Sequence, residues 1–334
     1  MLLAARALSR RLPRHASTAY HFPNAVARNH KSLTSHRYQL RPLSSTAVVW
    51  TRRPSAIAQR LPDPEREPQR LRDFDLEGKI FVVTGGGRGL GLTLAEVLVE
   101  AGGKVYCLDR LSEPVQEFYD AQKRSAEVYG GRLTYDQVDV RDPNNLDQVI
   151  SRIADENQGL HGLIAAAGVQ KVMPALEYPP EAVNEMMEIN YRGVYLSAVS
   201  CAKQMIKYKT PGALCLIASM SGLIANKGFT SSVYNSSKAA VCQLTRSLAM
   251  EWGKIVDGKP IRVNALCPGN IMTPMVRKNF EDDPGLREIW ERENMLGRLS
   301  EPSEFRGAAL FLLSDASSFM TGSQLIIDGG YTAW

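Results

Sequence analysis

The chain has 334 residues, with 40 Lys and Arg against 35 Asp and Glu and a formal net charge of +5. The charge is unevenly placed: residues 1–62 carry ten Arg, one Lys, four of the five His and no acid, so the rest of the chain is mildly acidic, near −6. Such a body gives no electrostatic grip on nucleic acid, its single histidine and scattered cysteines leave too few clustered ligands for a metal site, and no apolar run approaches the ~20 residues that cross a bilayer.

The acid-free segment 1–62 is basic and hydroxyl-rich, the makeup of a mitochondrial transit peptide. Met1, Ala5, Leu8 and Leu12 would share one face of a helix while Arg6, Arg10 and Arg14 line another, until Pro13 disturbs the last turn. A secretory signal would need a longer apolar core before its arginines. A plain disordered tail and a basic nucleic-acid arm are the competing readings. The expectation is a leader over 1–62 addressed to the mitochondrial matrix. Pro54, Pro62, Pro64 and Pro68, set among charges, mark extended chain. Residues 63–75 are expected to be a linker and 76–334 one catalytic domain, large enough for a sizeable α/β core.

In chain order, short apolar strands are expected at Ile80–Thr84, Lys104–Leu108, Leu133–Val138, Gly162–Ala166, Ala213–Ala218, Ile261–Leu266 and Gln324–Ile327. Amphipathic helices fall between them at Leu90–Ala101, Pro114–Tyr129, Pro143–Asn157, Pro180–Ile206, Val233–Trp252 and Pro302–Ser314. This alternation predicts right-handed β-α-β units. The fold class is α/β, a single doubly wound Rossmann-type domain with a seven-stranded parallel sheet flanked by helices. Its ligand should sit at the carboxyl edge of the strands, near the switch in strand order. Cys107, Cys215 and Cys267 lie in or beside apolar strands and read as small buried hydrophobes of a reducing compartment. His161 opens an apolar strand and reads as structural rather than as a triad member. The charged segment 274–297, with Phe280, Pro284 and Trp290, reads as a substrate lid.

The first strand runs into Thr84-Gly85-Gly86-Gly87-Arg88-Gly89-Leu90-Gly91 and then a helix. That context turns a glycine run into a dinucleotide loop. Gly85 permits the tight exit, Gly89 lets backbone approach a pyrophosphate, and Gly91 lets the helix pack closely. The alternative is an ordinary glycine-rich βα loop. Asp109, at the end of the second strand, is placed to accept from both adenosine ribose hydroxyls and would repel a 2′-phosphate. This favours NAD, while Arg88 and Arg110 pull toward NADP, which is not excluded. Further on, Tyr234 and Lys238 in Tyr-Asn-Ser-Ser-Lys lie one helical turn apart. An ammonium beside a phenol favours phenolate and brings proton transfer nearer to neutral pH. Alone, such a pair also occurs on solvated helix faces.

With these motifs in this order, residues 76–334 resemble the short-chain dehydrogenase/reductase family. The carrying residues are Thr84–Gly91, Asp139-Val140, Ala165–Gly168, Asn190, Ser219, Tyr234/Lys238 and Pro268-Gly269. The resemblance implies that Tyr234 is the general acid/base, that Lys238 binds the nicotinamide ribose and lowers the tyrosine pKa, that Ser219 holds the substrate oxygen and that Asn190 holds a relay water. It implies cofactor contacts from Thr84, Gly85, Arg88, Gly89, Leu90, Gly91, Asp109, Asp139, Val140, Ala167 and Gly168. Tyr234, Lys238, Pro268, Gly269, Ile271 and Thr273 would complete the cofactor set, with no metal. Two departures stand out. Ser221 matches the usual distance to the tyrosine better than Ser219, which matches the Ser-x-x-Gly pattern. Ala165-Ala166-Ala167-Gly168 lacks the asparagines the family often has there.

The resemblance reaches further, to fungal polyol and ketose members such as sorbose reductase, L-xylulose reductase and mannitol or D-arabinitol 2-dehydrogenases. It rests on Ala218–Gly222, Ile224–Asn226, Tyr234-Asn235 and Gly329–Trp334. It implies hydride transfer between a nicotinamide cofactor and a polyol or ketose. Ser221, Gln170 and Asn226 could satisfy substrate hydroxyls, or be ordinary loop residues. A mitochondrial 3-oxoacyl carrier-protein reductase is the alternative, and a catalytically idle NAD-binding protein an alternative of another class. A small-molecule substrate, no nucleic acid or membrane partner and a homotetramer, with the apolar tail near a neighbour's site, are also expected from the resemblance.

Overall fold

The computed structural model describes residues 71–334 apart from 274–275, 278–279 and 282–284. The expected leader, most of the linker and part of the lid, Pro284 included, lie outside the described residues. The strands are β1 (Ile80–Thr84), β2 (Lys104–Asp109), β3 (Arg132–Gln137), β4 (Gly162–Ala165), β5 (Gly212–Ile217), β6 (Ile261–Pro268) and β7 (Gln324–Ile327). They form one seven-stranded sheet in the order β3-β2-β1-β4-β5-β6-β7, parallel throughout. The order reverses between β1 and β4, so a crevice opens above their carboxyl ends.

Both faces are covered, which is why the central strands are continuously apolar. Along β1, Ile80 and Val82 pack with residues of α3 (Pro143–Asn157), α5 (Val194–Lys207) and α6 (Ser232–Trp252). Phe81 and Val83 face the other way, toward α1 (Gly89–Glu100), α2 (Gln116–Glu127) and the helix Arg306–Leu313. A Cβ at Gly162 would fall 2.5 Å from the Phe81 ring, so only glycine lets β4 lie beside that phenylalanine. No helix of the described residues is long and apolar enough to cross a membrane.

Two expected helices are interrupted. The run expected over Pro180–Ile206 is α4 (Pro180–Met187), a π-turn at Glu188–Gly193, and α5. The wider turn sits where the Asn190 side chain reaches inward to Val169 and where Gly193 presses against Val140, its hypothetical Cβ 2.7 Å from Val140 Cγ2. Apolar periodicity carries no trace of such a tertiary demand. The run expected over Pro302–Ser314 opens with a 3-10 turn, Pro302–Phe305, closed by a reciprocal Glu301/Glu304 cap.

Candidate functional site

The glycine loop leaves β1 against the segment that follows β4. Gly85 has φ +67°, and its hypothetical Cβ would lie 2.7 Å from Ala167 backbone; at Gly91 it would lie 2.1 Å from the Gly85 carbonyl oxygen. Side chains at these two positions would push the loop off the segment after β4 and off its own helix, whereas at Gly89, with φ +58°, a Cβ would meet nothing within 4 Å, leaving the open side that a pyrophosphate needs. The Gly87 amide donates to Asp109 Oδ2 at 3.1 Å, placing that carboxylate beside the loop. Arg88 and Arg110 are exposed. The loop thus keeps an open backbone turn with the Asp109 carboxylate beside it. Where Ala165–Gly168 lacks the expected asparagines, backbone closes the joint instead: Ala166 N donates to Thr84 O at 3.0 Å. Asp139, just past β3 where Val138 N donates to Asp109 O at 2.8 Å, pairs with Arg141 at 2.5 Å, and that guanidinium holds its carboxyl below the usual range.

The cleft beyond the loop gathers most of the expected residues. Leu90, Gly168, Gln170, Ser219, Ser221 and Asn226 line one part of it. Tyr234, Lys238, Pro268, Gly269, Ile271 and Thr273 line another. Asn190 is buried behind them. Its Oδ1 accepts from Val169 N at 2.9 Å, and its Nδ2 donates to Val169 O at 2.9 Å and to Ser237 Oγ at 3.0 Å. Ser237 in turn donates to the Tyr234 carbonyl at 2.7 Å. The Asn190 side chain therefore fixes the first turn of α6 against the chain after β4, and both its amide hydrogens have protein partners.

Of the two candidate serines, Ser219 is the one whose side chain lowers the Tyr234 phenol pKa, and its Oγ accepts from Ser221 N at 3.1 Å. Ser221 is also buried and also faces the cleft. The acidity of Tyr234 runs against the expectation. Burial raises the phenol above its ordinary value, with only the Ser219 hydrogen bond pulling down. Lys238 Nζ donates to the Ile217 carbonyl at 2.8 Å and lies over the Tyr234 ring, 5.8 Å from its centre. Burial brings the Lys238 ammonium itself down to about 8.

Val169, Phe229 and Asn270 line the cleft although the sequence reading did not single them out, Val276 and Trp290 come from the expected lid, and Tyr331 comes from the C-terminal motif. Phe229 stacks edge-on against Trp290 at 5.2 Å, and Phe280 meets the same indole at 5.4 Å. The lid is further held by the C-terminus of its own chain. Tyr331 Oη accepts from Lys227 N at 3.0 Å, and Trp334 Nε1 donates to Glu293 O at 3.0 Å. Val169 and Tyr331 line one cleft from 162 positions apart, and no local pattern connects them.

Comparison with known proteins places this geometry. A family model described as Enoyl-(Acyl carrier protein) reductase matches residues 85–332. The short chain dehydrogenase/reductase notP′ of Aspergillus versicolor is 40% identical over 81% of this chain and 92% of its own length. The D-arabinitol 2-dehydrogenase [ribulose-forming] of Candida albicans is 33% identical over 78% of this chain and 95% of its own. Among solved structures, a gluconate 5-dehydrogenase from Burkholderia cenocepacia in complex with NADP and tartrate superposes with a TM-score of 0.71 at 30% identity, covering 79% of this chain and 99% of the other.

Proposed function

The chain belongs to the short-chain dehydrogenase/reductase family, and from that premise we propose that it interconverts a polyol and its ketose. The family acts on alcohols by hydride exchange, and a bound nicotinamide dinucleotide supplies the hydride donor or acceptor. Glycines 85, 89 and 91, with Asp109, would hold its adenosine end, and Tyr234, Lys238, Pro268, Gly269 and Thr273 its nicotinamide end. The observation that carries the reading is a single cleft that brings Ser219, Tyr234 and Lys238 together with the polar groups of Ser221, Gln170 and Asn226.

Tyr234 takes the proton of the substrate hydroxyl at its phenolic oxygen during oxidation and returns it during reduction. Ser219 donates to the substrate oxygen as charge gathers there, a contact stronger in the transition state than before it. Lys238, with one hydrogen on Ile217 O, directs the others into the cleft, where a ribose hydroxyl can accept them. Asn190 acts by holding α6 in place. Any relay water would use its remaining lone pair or nearby backbone.

Ser221, Gln170 and Asn226 offer hydroxyl and amide groups to a polyhydroxylated chain, and Asn226 is oriented by Asn235 Nδ2 donating to its Oδ1 at 3.0 Å. The arabinitol relative supports the same class. The Phe229–Trp290 wall favours a more apolar acyl substrate instead, the property of the carrier-protein reductase reading. Asp109 supports NAD, against the NADP of the gluconate enzyme. The acid-free leader supports import into the mitochondrial matrix, and family resemblance supports a homotetramer.

Purified enzyme is to be assayed with pentitols, hexitols, ketoses and an acetoacetyl thioester, each with both dinucleotides. Turnover of a polyol with NAD is expected, with Asp109→Ala gaining NADP activity. Preference for the thioester overturns the polyol reading, and unchanged selectivity in Asp109→Ala overturns the cofactor reading.

A further inference from the structure

Two thiols with no part in the chemistry above face each other behind the cleft. Cys242 lies on α6 one turn beyond Lys238, and Cys267 stands on β6 directly before Pro268. Both are buried, and their sulfurs are 4.0 Å apart. The other three thiols, Cys107, Cys201 and Cys215, are pushed up chiefly by burial. Cys242 differs: its thiol is held below the ordinary value by the sulfur contact with Cys267, and the Arg246 and Lys238 cations add to this. Either sulfur can be the donor in that contact, so the pair shares a proton between two adjacent sulfurs.

We propose that Cys242 and Cys267 are a reversible modification site, forming an internal disulfide with hydrogen peroxide that ties α6 to the end of β6 and lowers turnover. The Cys242 thiolate attacks one peroxide oxygen, the O–O bond breaks and hydroxide leaves, giving a sulfenic acid. The Cys267 sulfur then attacks the sulfenic sulfur. An S–S bond forms, the S–O bond breaks, and the thiol proton and hydroxyl depart as water. Two thiols are oxidised for each peroxide reduced to two waters, and a dithiol reverses the bond by exchange.

Closing the sulfurs from 4.0 Å to a bond of about 2.05 Å takes rotation at both side chains and movement of β6 against α6. Those elements carry Lys238 and Pro268, which both line the cleft. Misplacement of reacting groups by about 1 Å can cost up to ~10²-fold in rate. A small oxidant in the cleft meets Lys238, one turn before Cys242 on α6, and Pro268, the residue next to Cys267 on β6.

The switch rests on the oxidoreductase reading, but its first readout does not depend on which alcohol is oxidised. Full-length protein is titrated with peroxide, alkylated and digested with trypsin without reduction. Peptide 239–246 should appear joined to peptide 263–277, two hydrogens lighter than their sum. Activity should fall about tenfold or more in step and return with dithiothreitol. Cys242→Ala should keep basal activity and resist peroxide, and Cys267→Ala should do the same. If Cys267→Ala fails to fold, Cys242→Ala alone carries the comparison. The proposal is overturned if the joined peptides do not form, if they form with activity unchanged, or if Cys242→Ala loses activity to peroxide as the wild type does.

Discussion

In the proposed reaction, the proton chemistry at Tyr234 is a contest between two influences of opposite sign. Burial keeps the phenol protonated, and the Ser219 hydrogen bond favours the phenolate. Oxidation of an alcohol needs the phenolate as base, so its rate rises with pH through the tyrosine pKa. Ser219→Ala removes the one downward influence. It should move that rise to higher pH and lower kcat by about 10²-fold, as loss of an oxyanion donor does. Ser221→Ala, whose side chain makes no such bond to the phenol, should raise KM with the pH profile unmoved. Paired pH–rate profiles decide the matter, and a near-normal Ser219→Ala enzyme would reverse the assignment. The two serines are legible as candidates in sequence, but two residues of spacing cannot tell which hydroxyl turns toward a ring fifteen positions on. Likewise the i, i+4 spacing shows that Lys238 follows Tyr234 along one helix face. Only the fold shows the ammonium turned to Ile217 O.

At the scale of elements, His161 joins three strands. Its Nδ1 accepts from Ile80 N at 3.1 Å, its own amide donates to Ile80 O at 2.9 Å, and its carbonyl accepts from Ala213 N at 3.0 Å. The ring accepts at Nδ1 only when that nitrogen is unprotonated, and burial, helped by Lys79, lowers its pKa below the ordinary value. The unfolded chain then binds the proton first, so this contribution is complete above about pH 6.5 and fades as pH falls toward the lowered folded value. Thermal unfolding followed on acidification should show a smaller loss in His161→Gln than in the wild type; equal slopes would remove the histidine from the account. The structural reading of His161 was available in sequence from its place at a strand entrance. The π-turn at Glu188–Gly193 was not, because the inward reach of Asn190 is a demand made by Val169 and Ser237 rather than by the helix's own periodicity.

Over the whole molecule, the C-terminal residues return to the mouth of the cleft. Tyr331 lines it, and Trp334 bonds to the lid at Glu293, which also pairs with Lys227 at 3.0 Å. Removing residues 331–334 should therefore take away one wall and release the lid, raising KM for substrate about tenfold while dinucleotide affinity holds. Steady-state kinetics beside a dinucleotide titration checks this, and unchanged KM would show the tail to be a bystander. The sequence by itself determined the seven strands, the parallel, doubly wound character of their sheet, the glycine loop and the Tyr234/Lys238 pair. Each is written in neighbouring residues, as apolar runs, backbone freedom or a single helical turn. Tertiary structure decided which serine meets the phenol, where the lysine points, that Phe229, Trp290 and Tyr331 share one cleft, and that Cys242 faces Cys267. Those are contacts between distant segments, and packing in three dimensions sets them where local pattern has no hold.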